Sequence, residues 1–128
     1  MFGFKKKEMN YTIIMHYEGL PNFKQDFPCT ATLEDDCIVF VESDGSTAKL
    51  PYGQIRTIDE MTEANFMLKY HNDKAKTKQG TVWFRVITYV SSAGEEKYIA
   101  LWNVDFKIEK FFNQLKERIN KEPSEITL

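Results

Sequence analysis

The sequence predicts a mainly β domain in which seven antiparallel strands are closed by one C-terminal amphipathic helix. Three observations lead to this fold class. Short segments rich in β-branched and aromatic residues follow one another from residue 11 to residue 102, mostly joined by short turns. A single strong helical pattern comes after them, at residues 103–120. An amphipathic helix that follows a run of strands needs a sheet or barrel on which to bury its apolar stripe.

The seven predicted strands are recognised by alternation, or by apolar runs between turn residues. They cover residues 11–17, 29–33, 37–41, 47–50, 54–60, 81–90 and 97–102. The first strand alternates, with Tyr11, Ile13, Met15 and Tyr17 on one face and Thr12, Ile14 and His16 on the other. The third strand is apolar on both faces, which predicts a central position. Residues 66–70 fit either a helical turn or a short strand.

The C-terminal helix is predicted from about residue 104 to residue 121. At about 100° per residue, its apolar side chains share one arc; they are Val104, Ile108, Phe111, Phe112, Leu115 and Ile119. Asn103 is a suitable N-cap, and Pro123 stops the helix. Phe106 lies about 160° from the arc. It either folds back onto the rim of the fold or is an exposed aromatic that anchors a partner.

Length and composition place the chain among single globular domains. It has 128 residues, of which 42% are hydrophobic, so a folded core is expected. The net charge of −2 argues against a general nucleic-acid binder. No apolar run approaches the roughly 20 residues of a membrane span, and no signal peptide is recognisable, so we expect a cytoplasmic protein. We divide the chain into a basic N-terminal arm (1–10), a domain (11–121) and a C-terminal tail (122–128).

Three segments carry a resemblance to a known fold family: LEDDCIVF (33–40), KLPYGQI (49–55) followed by Ile58, and GEEKYIAL (94–101) ahead of the helix. In this order they resemble the pleckstrin-homology (PH) superfold, in particular bacterial PH-like and GRAM-type domains. The resemblance covers residues 11–121 and implies a barrel of two near-orthogonal sheets, with the helix plugging one open corner. Phosphoinositide-binding members carry several basic residues around the first hairpin. Here that loop offers only Lys24, beside Glu18 and Asp26, so a phosphoinositide is not the expected ligand.

Candidate chemistry is sparse. Cys29, Cys37, His16 and His71 are ligand types that zinc accepts, but their spacing matches no paired motif. Two reduced, packed cysteines are the preferred interpretation. A small hydrolase or redox enzyme built on Cys29 or Cys37 is the rival from a different class. Because packed cysteines are the preferred interpretation, we expect no enzymatic activity, no cofactor and no metal.

The functional expectation is a non-enzymatic intracellular binding or scaffolding module whose ligand is a protein, including a second copy of this chain. The candidate partner-binding residues are Phe106, Trp83, Trp102 and Tyr89, from a set of aromatics that one domain cannot obviously bury. The alternative is a peripheral membrane adaptor. It would contact anionic lipid through the arm and a lysine-rich loop, with Phe2, Phe4, Lys5, Lys6, Lys7, Lys74, Lys76 and Lys78. At about 1 kcal/mol per lysine, such binding is weak and sensitive to salt.

Overall fold

The computed structural model describes residues 10–72, 82–103 and 107–120, and in them the chain is mainly β. The strands are β1 (Tyr11–Glu18), β2 (Phe27–Leu33), β3 (Cys37–Glu42), β4 (Thr47–Pro51), β5 (Ile55–Thr62), β6 (Trp83–Val90) and β7 (Glu96–Asn103). Two helical elements follow β5 and β7. The first is the α1 segment, which joins α1 (Glu63–Phe66) to a π-helical turn (Met67–His71), and the second is α2 (Lys107–Asn120). Seven strands and one C-terminal helix confirm the predicted class.

All seven strands belong to one sheet, in the order β4-β3-β2-β1-β7-β6-β5, and every pairing is antiparallel. The first and last strands are therefore neighbours at its centre, where Met15 lies opposite Trp102. β4 and β5 are the two edges and are not hydrogen-bonded to each other, so the sheet is not closed. The register shifts between His16 and Glu18 in β1, and between Ile55 and Thr57 in β5. Such irregularities bend a strand and increase its twist.

The larger core lies on the inner face of the sheet, which we define as the face that α2 packs against. The predicted apolar stripe is confirmed where the helix is described, since Ile108, Phe111, Phe112 and Leu115 are all buried. Every strand contributes to this core; its buried strand residues are Ile14, Cys29, Ala31, Leu33, Ile38, Phe40, Leu50, Ile55, Ile87, Ile99 and Leu101. The predicted helical positions 104–106 and 121 lie outside the described residues. No helix in the described ranges is long and apolar enough to cross a bilayer.

A second, smaller core lies on the opposite, outer face, over β6 and β7. Its buried members are Phe66, Val82, Phe84, Val86 and Ala100. The α1 segment brings Phe66 onto this face, where its ring stacks on that of Phe84 with centroids 4.7 Å apart. Residues 66–70, which the sequence left open between helix and strand, are therefore helical.

β1 and β3 each bury one face, and in each the other face carries apolar side chains that are exposed or only partly buried. In β1 the buried set is Thr12, Ile14 and His16, while Ile13 keeps 60% of its surface exposed. In β3, Val41 is 37% exposed. The third strand was predicted to be central in the sheet. In the structure β3 is not an edge strand, since it is paired with β2 on one side and with β4 on the other. Only one of its two apolar faces is fully buried, since Val41 on the other face is exposed.

Candidate docking face

The three described aromatic residues among those predicted to bind a partner do not form one patch. Trp83 opens β6, is 47% exposed, and lies opposite Asn103. Trp102 lies opposite the next residue of β6, so the two tryptophans point to opposite faces. Tyr89 is six residues further along β6, about 20 Å away, and packs against the inner core. Phe106 lies outside the described residues.

The residues predicted to touch anionic lipid also fall outside the described part of the chain. Phe2, Phe4, Lys5, Lys6 and Lys7 precede residue 10, and the lysines of the loop, Lys74, Lys76 and Lys78, lie between residues 72 and 82. The membrane-adaptor alternative therefore stays a prediction that no described residue tests.

A different surface emerges from the strand register on the outer face of β1–β4. Residues directly opposite each other on neighbouring strands share a face. One row across the four strands is Ile13, Thr30, Val41 and Thr47, and the adjacent row is Tyr11, Thr32, Val39 and Lys49. We call these eight residues the docking face. Tyr11 and Ile13, exposed by 47% and 60%, are its most exposed apolar members.

The chemistry of the docking face is unusual for a surface in water. An antiparallel sheet with one buried face normally presents polar side chains on the other. Here the eight positions carry a single charge, that of Lys49 on the edge strand β4, and no carboxylate. Tyrosine and the β-branched residues Ile, Val and Thr occupy the remaining seven positions. Such a surface can pack against another sheet face.

The loop of residues 19–26, at one end of the docking face, is held in place by two buried side chains. The Nε2 atom of His16 accepts a hydrogen bond from the Leu20 N–H at 3.0 Å, and its Nδ1 lies 3.0 Å from the Lys24 carbonyl oxygen. Because a carbonyl oxygen can only accept, Nδ1 carries the proton and the ring is neutral. Glu42 Oε2 accepts from the Lys24 N–H at 2.8 Å. These bonds hold the loop from β1, through His16, and from β3, through Glu42.

Neither cysteine is arranged as a nucleophile. Cys29 is buried, and its burial, assisted by the charge of Glu42, raises the pKa of its thiol to about 12. Burial and a hydrogen bond with Asp36 also raise the pKa of Cys37. Both changes disfavour the thiolate, which is the reactive form. Both cysteines are free, and in the described ranges no group of three His, Cys, Asp or Glu side chains could hold a metal ion.

Sequence reasoning missed the docking face, although its signal was present. Residues 37–41 are apolar on both faces, a pattern equally compatible with a strand covered on both sides and with a strand whose second face is left for a partner. The register shows that Val41, Thr30 and Ile13 share this second face, and the exposure of Val41 and Ile13 shows that it is uncovered. Known proteins add no identification: no protein-family model matches this chain, and no curated protein matches it.

Proposed function

We propose that this chain is a non-catalytic protein-binding module built on a PH-like barrel, and that it associates with a second copy of itself through the docking face. The observation that carries the proposal is the pair of rows across β1–β4 whose single charge is that of Lys49 on the edge strand, with Ile13 exposed by 60% at their β1 end.

Connectivity supports the barrel. Seven flat strands at about 4.8 Å spacing would put the edges β4 and β5 about 29 Å apart. Yet β4 ends at Pro51 and β5 begins at Ile55, and the short connection between these residues spans at most about 14 Å. The sheet must therefore curl until its two edges approach each other at this corner. Register irregularities in β1 and β5 supply bends, and α2 lies across the inner core, which fits a PH-like arrangement.

The chemistry of the docking face favours a protein over other ligand classes. Anionic head groups and nucleic acids need clustered cations, whereas these two rows hold only Lys49. Small molecules need a concave pocket that buries most of their surface, whereas the rows run across neighbouring strands of a sheet. A second sheet face satisfies such a surface, because paired sheets pack about 10 Å apart and interdigitate apolar side chains.

A second copy is the occupant that the charge distribution favours. In a two-fold dimer the same patch meets itself, so any central charge would face its own copy. Lys49 lies at the edge of the patch rather than at its centre, so two docking faces can meet without opposing charges of the same sign. Eight side chains on one sheet face cover on the order of 300 Å². This is less than the roughly 800 Å² per partner of a stable interface, so the association is weak.

Sedimentation velocity over a concentration series tests the proposal with a matched pair of substitutions. Ile13→Lys removes the most exposed apolar side chain of the docking face. Leu68→Lys removes one of nearly equal exposure, 58%, from the α1 segment and serves as the control. Burying Ile13 removes on the order of 100 Å² from water per copy, or about 2.5 kcal/mol. Since a two-fold dimer contains this contact twice, its loss weakens association at least about a hundredfold.

The proposal predicts that the unmodified chain and Leu68→Lys both sediment faster as concentration rises to about 1 mM, which is the range of weak complexes. Ile13→Lys stays monomeric throughout. An unmodified chain that remains monomeric, or an Ile13→Lys variant that associates as the unmodified chain does, overturns self-association through this face. Circular dichroism of each variant confirms that the fold is retained.

A further inference from the structure

His16 is a buried titratable group that the docking face does not use. Only 2% of its surface is exposed, and it points into the inner core, whereas Ile13 on the same strand points outward. Both ring nitrogens bind the loop of residues 19–26: Nε2 accepts from the Leu20 N–H and Nδ1 donates to the Lys24 carbonyl oxygen, each at 3.0 Å. A neutral imidazole offers one donor and one acceptor, whereas an imidazolium offers two donors. The bond from Leu20 therefore exists only while the ring is neutral.

The charged and titratable groups around His16 do not repel a proton. On the inner face Cys29 lies diagonally across from it on β2, and Glu42 lies opposite Cys29 on β3. The Cys29 thiol stays uncharged, since its pKa is raised to about 12, and β7 and α2 contribute apolar side chains to this core. The other charged groups nearby are exposed or lie on the outer face; they are Lys24 and Asp26 in the loop, and Glu18 on β1. The hydrogen bond at Nε2, rather than charge repulsion, therefore opposes proton uptake.

Glu42 holds the same loop in a way that a proton does not disturb. Its Oε2 accepts from the Lys24 N–H at 2.8 Å. Its Oε1 is buried and has no hydrogen-bond partner among the described residues. A proton on Oε1 would leave the bond at Oε2 intact, because a carbonyl oxygen still accepts. The sensitivity of the loop to acid therefore rests on His16, where a proton on Nε2 places one donor against another at Leu20.

We propose that the loop of residues 19–26 is a latch that acid releases. When His16 takes up a proton, the Leu20 N–H loses its acceptor and the loop detaches from the inner core. Release exposes Leu20 and Phe23, which are 7% and 9% exposed in the latched loop. Exposed histidines are neutral above about pH 6.5 and charged below it. The latched loop is therefore favoured above this pH and is released as the pH falls below it.

Hydrogen exchange at about pH 7.5 and about pH 5 tests the latch. At about pH 5 an exposed histidine is charged rather than neutral by about 30 to 1. A proton that only the released loop binds therefore raises the released fraction about 30-fold. The protection factors of the Leu20 and Lys24 amides, corrected for the intrinsic pH dependence of exchange, should fall by that factor. At both pH values they should lie below those of Val86 and Ile87 in β6, because the loop opens while the sheet stays folded.

The two histidines of the chain give a matched pair of substitutions. His16→Gln keeps one donor and one acceptor but cannot become charged. The protection of its loop should therefore be the same at both pH values. His71→Gln removes the other histidine, whose Nε2 lies 2.9 Å from Glu18 Oε2. Because His71 does not bind the loop, the roughly 30-fold change should persist in this variant.

Nitrogen NMR of the imidazole rings gives a readout that needs no substitution. At about pH 7.5 the ring of His16 should carry its only proton on Nδ1. A ring that carries the proton on Nε2 at that pH, or a charged ring beside a Leu20 amide that stays protected, would overturn the inference. So would loop protection that does not change with pH, loop amides as protected as those of β6, or a pH dependence that His16→Gln retains.

Discussion

Among the described glycines, Gly19 is the one at which an added methyl group should cost the most stability. It follows β1 directly and has φ +109°, a region that residues with a side chain rarely adopt. A Cβ atom at this position would lie 2.2 Å from the Tyr98 carbonyl oxygen and 2.8 Å from the Ile99 Cα atom. Both are backbone atoms of β7, so neither can rotate away. Gly19→Ala must therefore push the β1–β2 loop away from the central strand.

Gly45→Ala is the matched control, because it separates backbone strain from the collision. Gly45 has φ +93° in the β3–β4 turn, and an added Cβ meets no atom within 4 Å. Its substitution should cost only the conformational strain, about 1–3 kcal/mol. Gly19→Ala carries the same strain and, in addition, about 1–3 kcal/mol or more for forcing atoms into packed space.

Urea unfolding, followed by tryptophan fluorescence and circular dichroism, measures the difference. With an m-value of about 2 kcal/mol/M, the midpoint for Gly19→Ala should fall about 0.5–1.5 M below that for Gly45→Ala. The m-values should agree, which shows that the compactness of the two end states is unchanged. Equal midpoints for the two variants would refute the reasoning, because the close approach of Gly19 to β7 would then have no energetic consequence.

Two further predictions concern the core and the thiols. Phe112→Ala should lower the free energy of unfolding by about 3–5 kcal/mol, because its ring is 1% exposed and packs beneath the Arg85 guanidinium at 5.7 Å. Asn113→Ala, one residue along on the exposed face of α2, should change it by less than about 0.5 kcal/mol, and similar losses in urea unfolding would contradict the assignment. In a Cys37→Ala background, Cys29 should resist a thiol-reactive disulfide probe at pH 8 until urea is added. A pKa raised from 9.0 to about 12 lowers its thiolate population on the order of 1000-fold, and labelling of the native chain at the rate seen in urea would refute this.

The fold class was predictable because local patterns and global architecture agree. The stripe that includes Ile108, Phe112 and Leu115 demands one buried face, and the structure places it against the inner core. Alternation over residues 11–17 also predicts one buried face, but the face that is buried holds Thr12, Ile14 and His16 and is the less apolar of the two. Strand limits shifted by one or two residues where turn geometry, rather than apolar pattern, decides them. β5, for example, runs to Thr62 because Met61 and Thr62 continue the pairing with β6 as far as Trp83.

The candidate site was harder to predict because it depends on long-range register. Ile13, Thr30 and Val41 come from three strands, and nothing in the chain order states that they are cross-strand partners. Aromatic content suggested Trp83, Trp102 and Tyr89 instead, yet large rings serve cores as readily as interfaces. The α1 segment was ambiguous for a related reason. Phe66 is buried by contacts with Tyr17 and Phe84, which are distant in sequence, so its local pattern carried little information.

An isotope-filtered nuclear Overhauser experiment tests the central claim most directly. Equal amounts of ¹³C-labelled and unlabelled chain are mixed at a concentration where the dimer is populated, and only contacts between different copies are detected. Self-association through the docking face predicts intermolecular cross-peaks from the methyl groups of Ile13 and Val41. Cross-peaks that arise from Leu68 or another surface, with none from Ile13 and Val41, would contradict the claim.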